Sequence, residues 1–204
     1  MIETKDKILD AAERLFGEQG YAETSLRHII ADAGVNLAAI HYHFGSKEDL
    51  LLNLVRRRAE PINQARLAAL ERFEAEAGSE PVAVEKILEA FLAPAVAGAV
   101  RHPELVRLMG RMHAEGVMPP GIKSEFEPTV SRFIAAARRA LPDLPKQEFF
   151  WRLGAVAGAM AFTMLEVSAD SADLNRRIKR LIAFVCGGLR APSAAAEEKV
   201  EVTR

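Results

Sequence analysis

Between residues 24 and 47 the chain reads TSLRHIIADAGVNLAAIHYHFGSK, and few folds accommodate that stretch. Ser25 is a strong helix N-cap, with Thr24 placing a second hydroxyl just before it. Leu26, Ile29, Ile30 and Ala33 follow at three- and four-residue spacing, so they share one helical face. Gly34 stands where a chain leaving a helix often needs positive φ, which glycine reaches at no steric cost. Val35 can pack inward. Asn36 can cap a second helix over residues 37–42, about two turns long. Phe44 closes the apolar set, Gly45 ends the helix and Ser46 caps a third.

Two short helices joined by a glycine turn have the layout of a helix-turn-helix, whose second helix enters the DNA major groove. A helix predicted over residues 4–17, capped by Thr4, carries Ile8, Ala11, Ala12, Leu15 and Phe16 as one stripe. That stripe can brace the inner face of the two-helix reader. Residues 17–23 read as a turn with Tyr21 packed beneath it.

The segment over residues 8–51 resembles the DNA-binding domain of the TetR family of bacterial repressors. The marks are AAERLF, the Gly20-Tyr21 pair, the Thr-Ser cap, the AGV turn, an aromatic run ending at Phe44, and SKEDLL. They occur in order over about a quarter of the chain. The remainder shares with that family only an all-helical layout of suitable length. The resemblance implies a homodimer that binds palindromic operator DNA and answers to a small-molecule effector, with repression as the default.

Charge does not argue for DNA on its own. Over residues 1–50 there are five basic residues, Lys5, Lys7, Arg14, Arg27 and Lys47. Nine acids oppose them: Glu3, Asp6, Asp10, Glu13, Glu18, Glu23, Asp32, Glu48 and Asp49. A groove reader needs positive charge only where phosphates approach, so local placement decides. By geometry, Leu37, Ala38 and Tyr42, with His41 beside them, point at base edges from the start of the helix that Asn36 caps. Arg27 is the candidate for a bidentate contact to guanine. Thr24 and Ser25 hydroxyls are candidates for phosphate. Lys47 can meet a phosphate together with the free N–H groups of the third helix, a role the family's pattern also implies. Where the family usually has a phosphate-touching tyrosine, this chain has His41. A metal reading of His41 and His43 fails on geometry: their i,i+2 spacing puts them about 200° apart on a helix. No metal or cofactor is expected.

The rest of the chain favours an all-α fold. Alanine, leucine, glutamate and arginine dominate, and half the residues are hydrophobic with a formal net charge of −1. The single Cys186 suits a reducing, cytoplasmic setting, the N-terminus lacks a signal-peptide core, and no apolar run is long enough for a membrane span. Helix resumes after Ser46 up to residue 59 and carries the basic run Arg56-Arg57-Arg58, read as a solvated face. Pro61 is expected to kink or break it before it resumes over 62–76, and Pro94 to interrupt the next helix. The expected division is a reader domain over 1–48, a helical effector-binding and dimerisation domain over 49–191, and a mobile tail over 192–204.

Two sites in the second domain remain loosely specified. Phe91, Met109, Arg111, Met112, His113, Phe133 and Trp151 are candidates for an apolar pocket with a cationic group for an acidic head. The resemblance also suggests an apolar acid or acyl thioester as effector. Small residues Gly154, Ala157, Gly158 and Ala161, with the stripe Ile178, Leu181, Ile182 and Val185, suit a dimer face on the last two helices. Packing inside one chain would use the same residues. No catalytic motif is evident, so an enzyme is not expected. A helical module that binds a small molecule or a partner without DNA remains the alternative, and the acidic N-terminal balance keeps it open.

Overall fold

The computed structural model describes residues 3–165 and 171–193. Among these residues the chain forms nine α-helices and no strand. No helix among them is long and apolar enough to cross a membrane. The tail expected over 192–204 lies outside the described residues beyond Ser193.

Helix α1, Thr4–Gln19, starts at Thr4 rather than being capped by it; Glu3 occupies the cap and makes no side-chain bond there. The helix runs through Gly17, and the turn falls to Gly20 at φ 91°. Gly17 is retained because α1 touches α6 there: a Cβ would lie 2.4 Å from the Glu104 Cβ. Helices α2, Leu26–Ala33, and α3, Leu37–His43, follow, with Gly34 between them in the left-handed region at φ 64° and ψ 37°. Ile8, Phe16, Ile29 and Ile40 are fully buried and hold the three helices together. Burying side chains of this size stabilises by roughly 1.5–3 kcal/mol each.

Helix α4, Lys47–Ala77, passes through Pro61 without a break. The break, one of the two outcomes expected at Pro61, therefore does not occur, and the reason is energetic. A mid-helix proline costs about 3 kcal/mol. Leu50, Leu51, Leu54 and Val55 are fully buried before it, and Leu70 and Phe73 are buried after it in a second core. Together those side chains outweigh one proline. Pro94 likewise sits inside α5, Val84–Arg101, flanked by buried Leu92, Ala95 and Val96.

Helices α6, Pro103–Ala114, α7, Pro120–Ala140, α8, Lys146–Leu165, and α9, Ser171–Arg190, complete the bundle. Leu105, Leu108 and Met112 of α6 and Ile122 of α7 join the same core as α1 to α4. A third core packs Val84, Leu88 and Leu92 of α5 on Leu181, Val185 and Leu189 of α9. Two polar junctions fix the layout. Arg57 and Arg58 reach from α4 to Asp6, Asp10 and Glu13 of α1, and Arg56 pairs with Glu125 of α7. Arg57 and Arg58 therefore form tertiary ion pairs rather than part of a solvated face, while Arg56, 52% exposed, pairs with Glu125 at the surface. At the other end Arg152, 6% exposed, donates to the carbonyls of Gly188, Leu189, Ala191 and Pro192.

Candidate nucleic-acid interface

The reader is built by three side-chain caps. Ser25 Oγ accepts from the His28 N–H at 3.2 Å, Asn36 Oδ1 from the Ala39 N–H at 2.9 Å, and Ser46 Oγ from the Asp49 N–H at 3.0 Å. Each satisfies a first-turn donor that the helix itself cannot. Helix α3 is then pinned from one side only, by buried Ile40, with Phe44 buried just beyond its end. Its other side faces outward, with Leu37 51% and Tyr42 85% exposed. Ala38 and His41 are exposed beside them. His41 Nδ1 lies 3.1 Å from Gly45 O, and the His43 ring lies 5.0 Å from that of Tyr42 and 6.1 Å from that of Phe44. The two imidazoles thus have separate surroundings.

The flanking residues divide. Arg27 and Ser25 are exposed on the same domain. Lys47 is half-buried: its Nζ lies 4.3 Å from the Tyr21 ring centroid and donates to Ala22 O at 3.3 Å. Burial lowers the Lys47 pKa from the ordinary lysine value, while Glu23 acts in the opposite sense. Thr24 is a correction. It is fully buried and its hydroxyl faces Leu15 O at 3.2 Å and Gly20 O at 2.8 Å, so it closes the α1–α2 turn and is not presented to solvent.

The acidic excess is spatially sorted. Asp6, Asp10 and Glu13 sit on the side of α1 that meets Arg57 and Arg58. Glu18 and Asp32 are both taken by Arg14, and Asp49 accepts from Ser46 Oγ. A count stopped at residue 50 omits the arginines that fold back on the same acids. The clue was present: Asp6, Asp10 and Glu13 recur at four- and three-residue spacing on one face of α1.

Among the described residues the pocket candidates fall in several different surroundings. Phe91 and Phe133 stack edge-on at 5.0 Å, and the Arg66 guanidinium covers Phe91 at 4.0 Å. Burial pushes Arg66 down to about 10. Met109 and Met112 pack instead in the core shared with α1, and Arg111 donates to Gly17 O at 3.4 Å. His113 is exposed, and Trp151 is 70% exposed on the outside of α8.

The small-residue face is split. Gly154 and Gly158 are exposed, and Ala157, Ile178 and Ile182 are half-buried. Ala161, Leu181 and Val185 are buried within the chain's own core. Outward-facing apolar surface comes from residues that composition did not single out for it: Trp151 and Phe162 on α8 and Phe184 on α9, at 70%, 64% and 75% exposure. Trp151 and Phe162 are eleven positions apart, three helical turns, and flank Gly154 and Gly158.

Comparison with known proteins agrees with this layout. A family model described as bacterial regulatory proteins, tetR family, matches residues 8–54, and a Tetracyclin repressor-like C-terminal domain model matches residues 89–188. The HTH-type transcriptional regulator LmrA of Bacillus subtilis is 43% identical over 63 residues, 30% of this chain and 34% of LmrA. AcrR of Shigella flexneri is 39% identical over 71 residues, 35% of this chain and 33% of AcrR. The similarity thus spans about a third of the length of these relatives. A solved TetR-like regulator from Rhodococcus sp. RHA1 covers 93% of this chain and 97% of its own at TM-score 0.66 and 20% identity. A second from Shewanella sp. PV-4 covers 91% and 97% at TM-score 0.65 and 18% identity. These structures share the fold.

Proposed function

Because the chain belongs to the TetR family of bacterial regulatory proteins, we propose that it is a DNA-binding transcriptional repressor acting as a homodimer in the cytoplasm. Residues 1–48 form its reader and 49–191 its effector-binding and dimerisation unit. The carrying observation is α3: anchored inward by fully buried Ile40, it presents Leu37 and Tyr42 to solvent. Leu37, Ala38, His41 and Tyr42 then face base edges. Asn36 fixes where the helix begins, while Ser25, Arg27 and Lys47 approach phosphate or guanine. One helix of two turns reads too few base pairs for useful specificity, so two copies are required. The exposed aromatic and glycine surface of α8 and α9, with Trp151, Phe162 and Phe184, supports pairing through those helices. A small effector releases the operator if it binds the non-reading arrangement more tightly than the reading one; equal affinity would shift nothing.

Selection from a pool of random duplexes tests this reading. Inverted repeats are expected to be enriched, with half-sites about one helical turn apart. Tyr42→Ala should then weaken binding to the selected duplex by about 1–3 kcal/mol. Its melting temperature should not move, because Tyr42 is 85% exposed. Enrichment of no duplex would return the chain to a helical module without DNA.

A further inference from the structure

A cleft of about 180 Å³ opens between α4 and α5, near where α4 packs on α1. Its polar end is all basic: Arg57 and Arg58 from α4, Arg101 and His102 from the end of α5. Its other end is apolar, with Pro61 and Ile62 facing Pro94 and Ala97. No acid lines it. The carboxylate facing these bases from outside is Glu13 of α1, 8% exposed, with the more exposed Asp6 and Asp10 beyond it.

The bases are not saturated. Arg57 Nε is buried and has no hydrogen-bond partner among the described residues. Arg101 donates only to Ala97 O, at 3.3 Å, and no carboxylate among the described residues lies within ion-pair distance of it. Arg58 places Nε at 3.0 Å and Nη2 at 2.7 Å from the Glu13 Oε2, so one carboxylate oxygen accepts both. His102 Nδ1 lies 3.2 Å from Glu13 Oε1. Burial and the Arg58 guanidinium lower the His102 pKa, against the opposing pull of Glu13.

We propose that this cleft binds a small carboxylate with a short apolar body, and that the bound carboxylate competes with Glu13 for Arg57 and Arg58. The proposal rests on the reading of the chain as a ligand-controlled DNA binder and supplies its ligand class and its coupling. A guanidinium fork recognises a carboxylate in a fixed geometry, and the unpaired Arg57 Nε and Arg101 provide donors that Glu13 does not use. The proline, isoleucine and alanine side chains accept a hydrocarbon body. Arg57 and Arg58 hold α1 on α4, and α1 carries the core on which α2 and α3 rest. A ligand that draws those arginines into the cleft loosens α1, and the reader helix with it.

The test is calorimetric titration of the full chain with sodium hexanoate and with hexanamide, which has the same body without the charge, at constant ionic strength. Hexanoate is expected to bind and hexanamide to bind at least about tenfold more weakly, the effect of losing a charge-assisted contact. Arg101→Gln should weaken hexanoate by about tenfold. Ala97→Leu, which fills the apolar end and leaves every ion pair in place, should abolish binding. Both variants are checked for an unchanged melting temperature. In the wild type, hexanoate should speed amide exchange in α1. Equal binding of acid and amide overturns the site, and so does wild-type affinity in both variants. Failure to bind hexanoate in a chain that still holds its selected duplex overturns the cleft alone. Hexanoate binding in a chain that enriches no duplex leaves the cleft standing and overturns the DNA reading.

Discussion

Replacing Arg152 with methionine should lower the stability of the chain by about 3–5 kcal/mol, the range for removing one member of a buried charged network. Methionine keeps the apolar stem and removes only the guanidinium, so packing loss is not the cause. Arg152 is 6% exposed, and its Nε donates to Glu148 Oε1 at 2.9 Å. Its Nη1 and Nη2 reach the Gly188, Leu189, Ala191 and Pro192 carbonyls at 2.7 to 3.0 Å. Those carbonyls lie at the end of α9, where no intrahelical donor remains. Without the guanidinium the buried Leu189 carbonyl loses its donor, the three more exposed carbonyls lose the group that ties them together, and the last turn of α9 frays. For a chain of this size each kcal/mol moves the melting temperature by about 2–4 °C, so a fall near 10 °C is expected in a thermal scan. Because α8 and α9 carry the exposed aromatic surface, sedimentation should also show weakened self-association. An unchanged melting temperature would mean that α9 ends without this clamp.

Glu13→Leu should cost a similar amount, about 3–5 kcal/mol, for the converse reason. Its carboxylate is 9% exposed and takes two bonds from Arg58. Arg57 keeps Asp6 at 3.3 Å and Asp10 at 2.7 Å when Glu13 is removed, but Arg58 keeps only Asp10 at 3.6 Å. A largely buried arginine is thus left with a weak, distant partner. Asp10→Asn provides the control. Asp10 is 57% exposed, so its pairs are screened by solvent and its loss should cost less than about 1 kcal/mol. Urea unfolding of the two variants separates the cases: equal midpoints would show that burial of Glu13 contributes nothing.

The reader was legible in the sequence because its signals are local. Ser25, Gly34, Asn36 and Ser46 each act within three or four residues, and each occupies the cap or turn its chemistry suits. Thr24 shows the limit. A hydroxyl beside a cap looks like a phosphate ligand until the turn after Gly20 folds it against Leu15 O. Prolines misled for a related reason. A proline's cost is local and visible, whereas the burial of Leu70 and Phe73 that outweighs it is tertiary. Arg56, Arg57 and Arg58 look alike in sequence, but their partners lie on α7 and α1, at separations no pattern of adjacent residues encodes. The pocket candidates failed to converge because wide apolar residues fill any helical bundle. Phe91 and Phe133 meet, while Met112 belongs to another core and Trp151 to the outside. On α8 and α9 the small residues were evident, yet which of them face outward depends on how α9 packs on α5 and how α8 packs on α6 and α9.

Hydroxyl-radical and methylation footprinting on the selected duplex reads the position of α3 on DNA without assuming an effector or a gene. The account predicts two protected major-groove patches on one face of the duplex, about 34–36 Å apart and related by a two-fold axis. Both should be lost together in Tyr42→Ala when the protein is held near its wild-type dissociation constant. A single patch, or protection confined to the minor groove, would contradict a paired outward-facing α3.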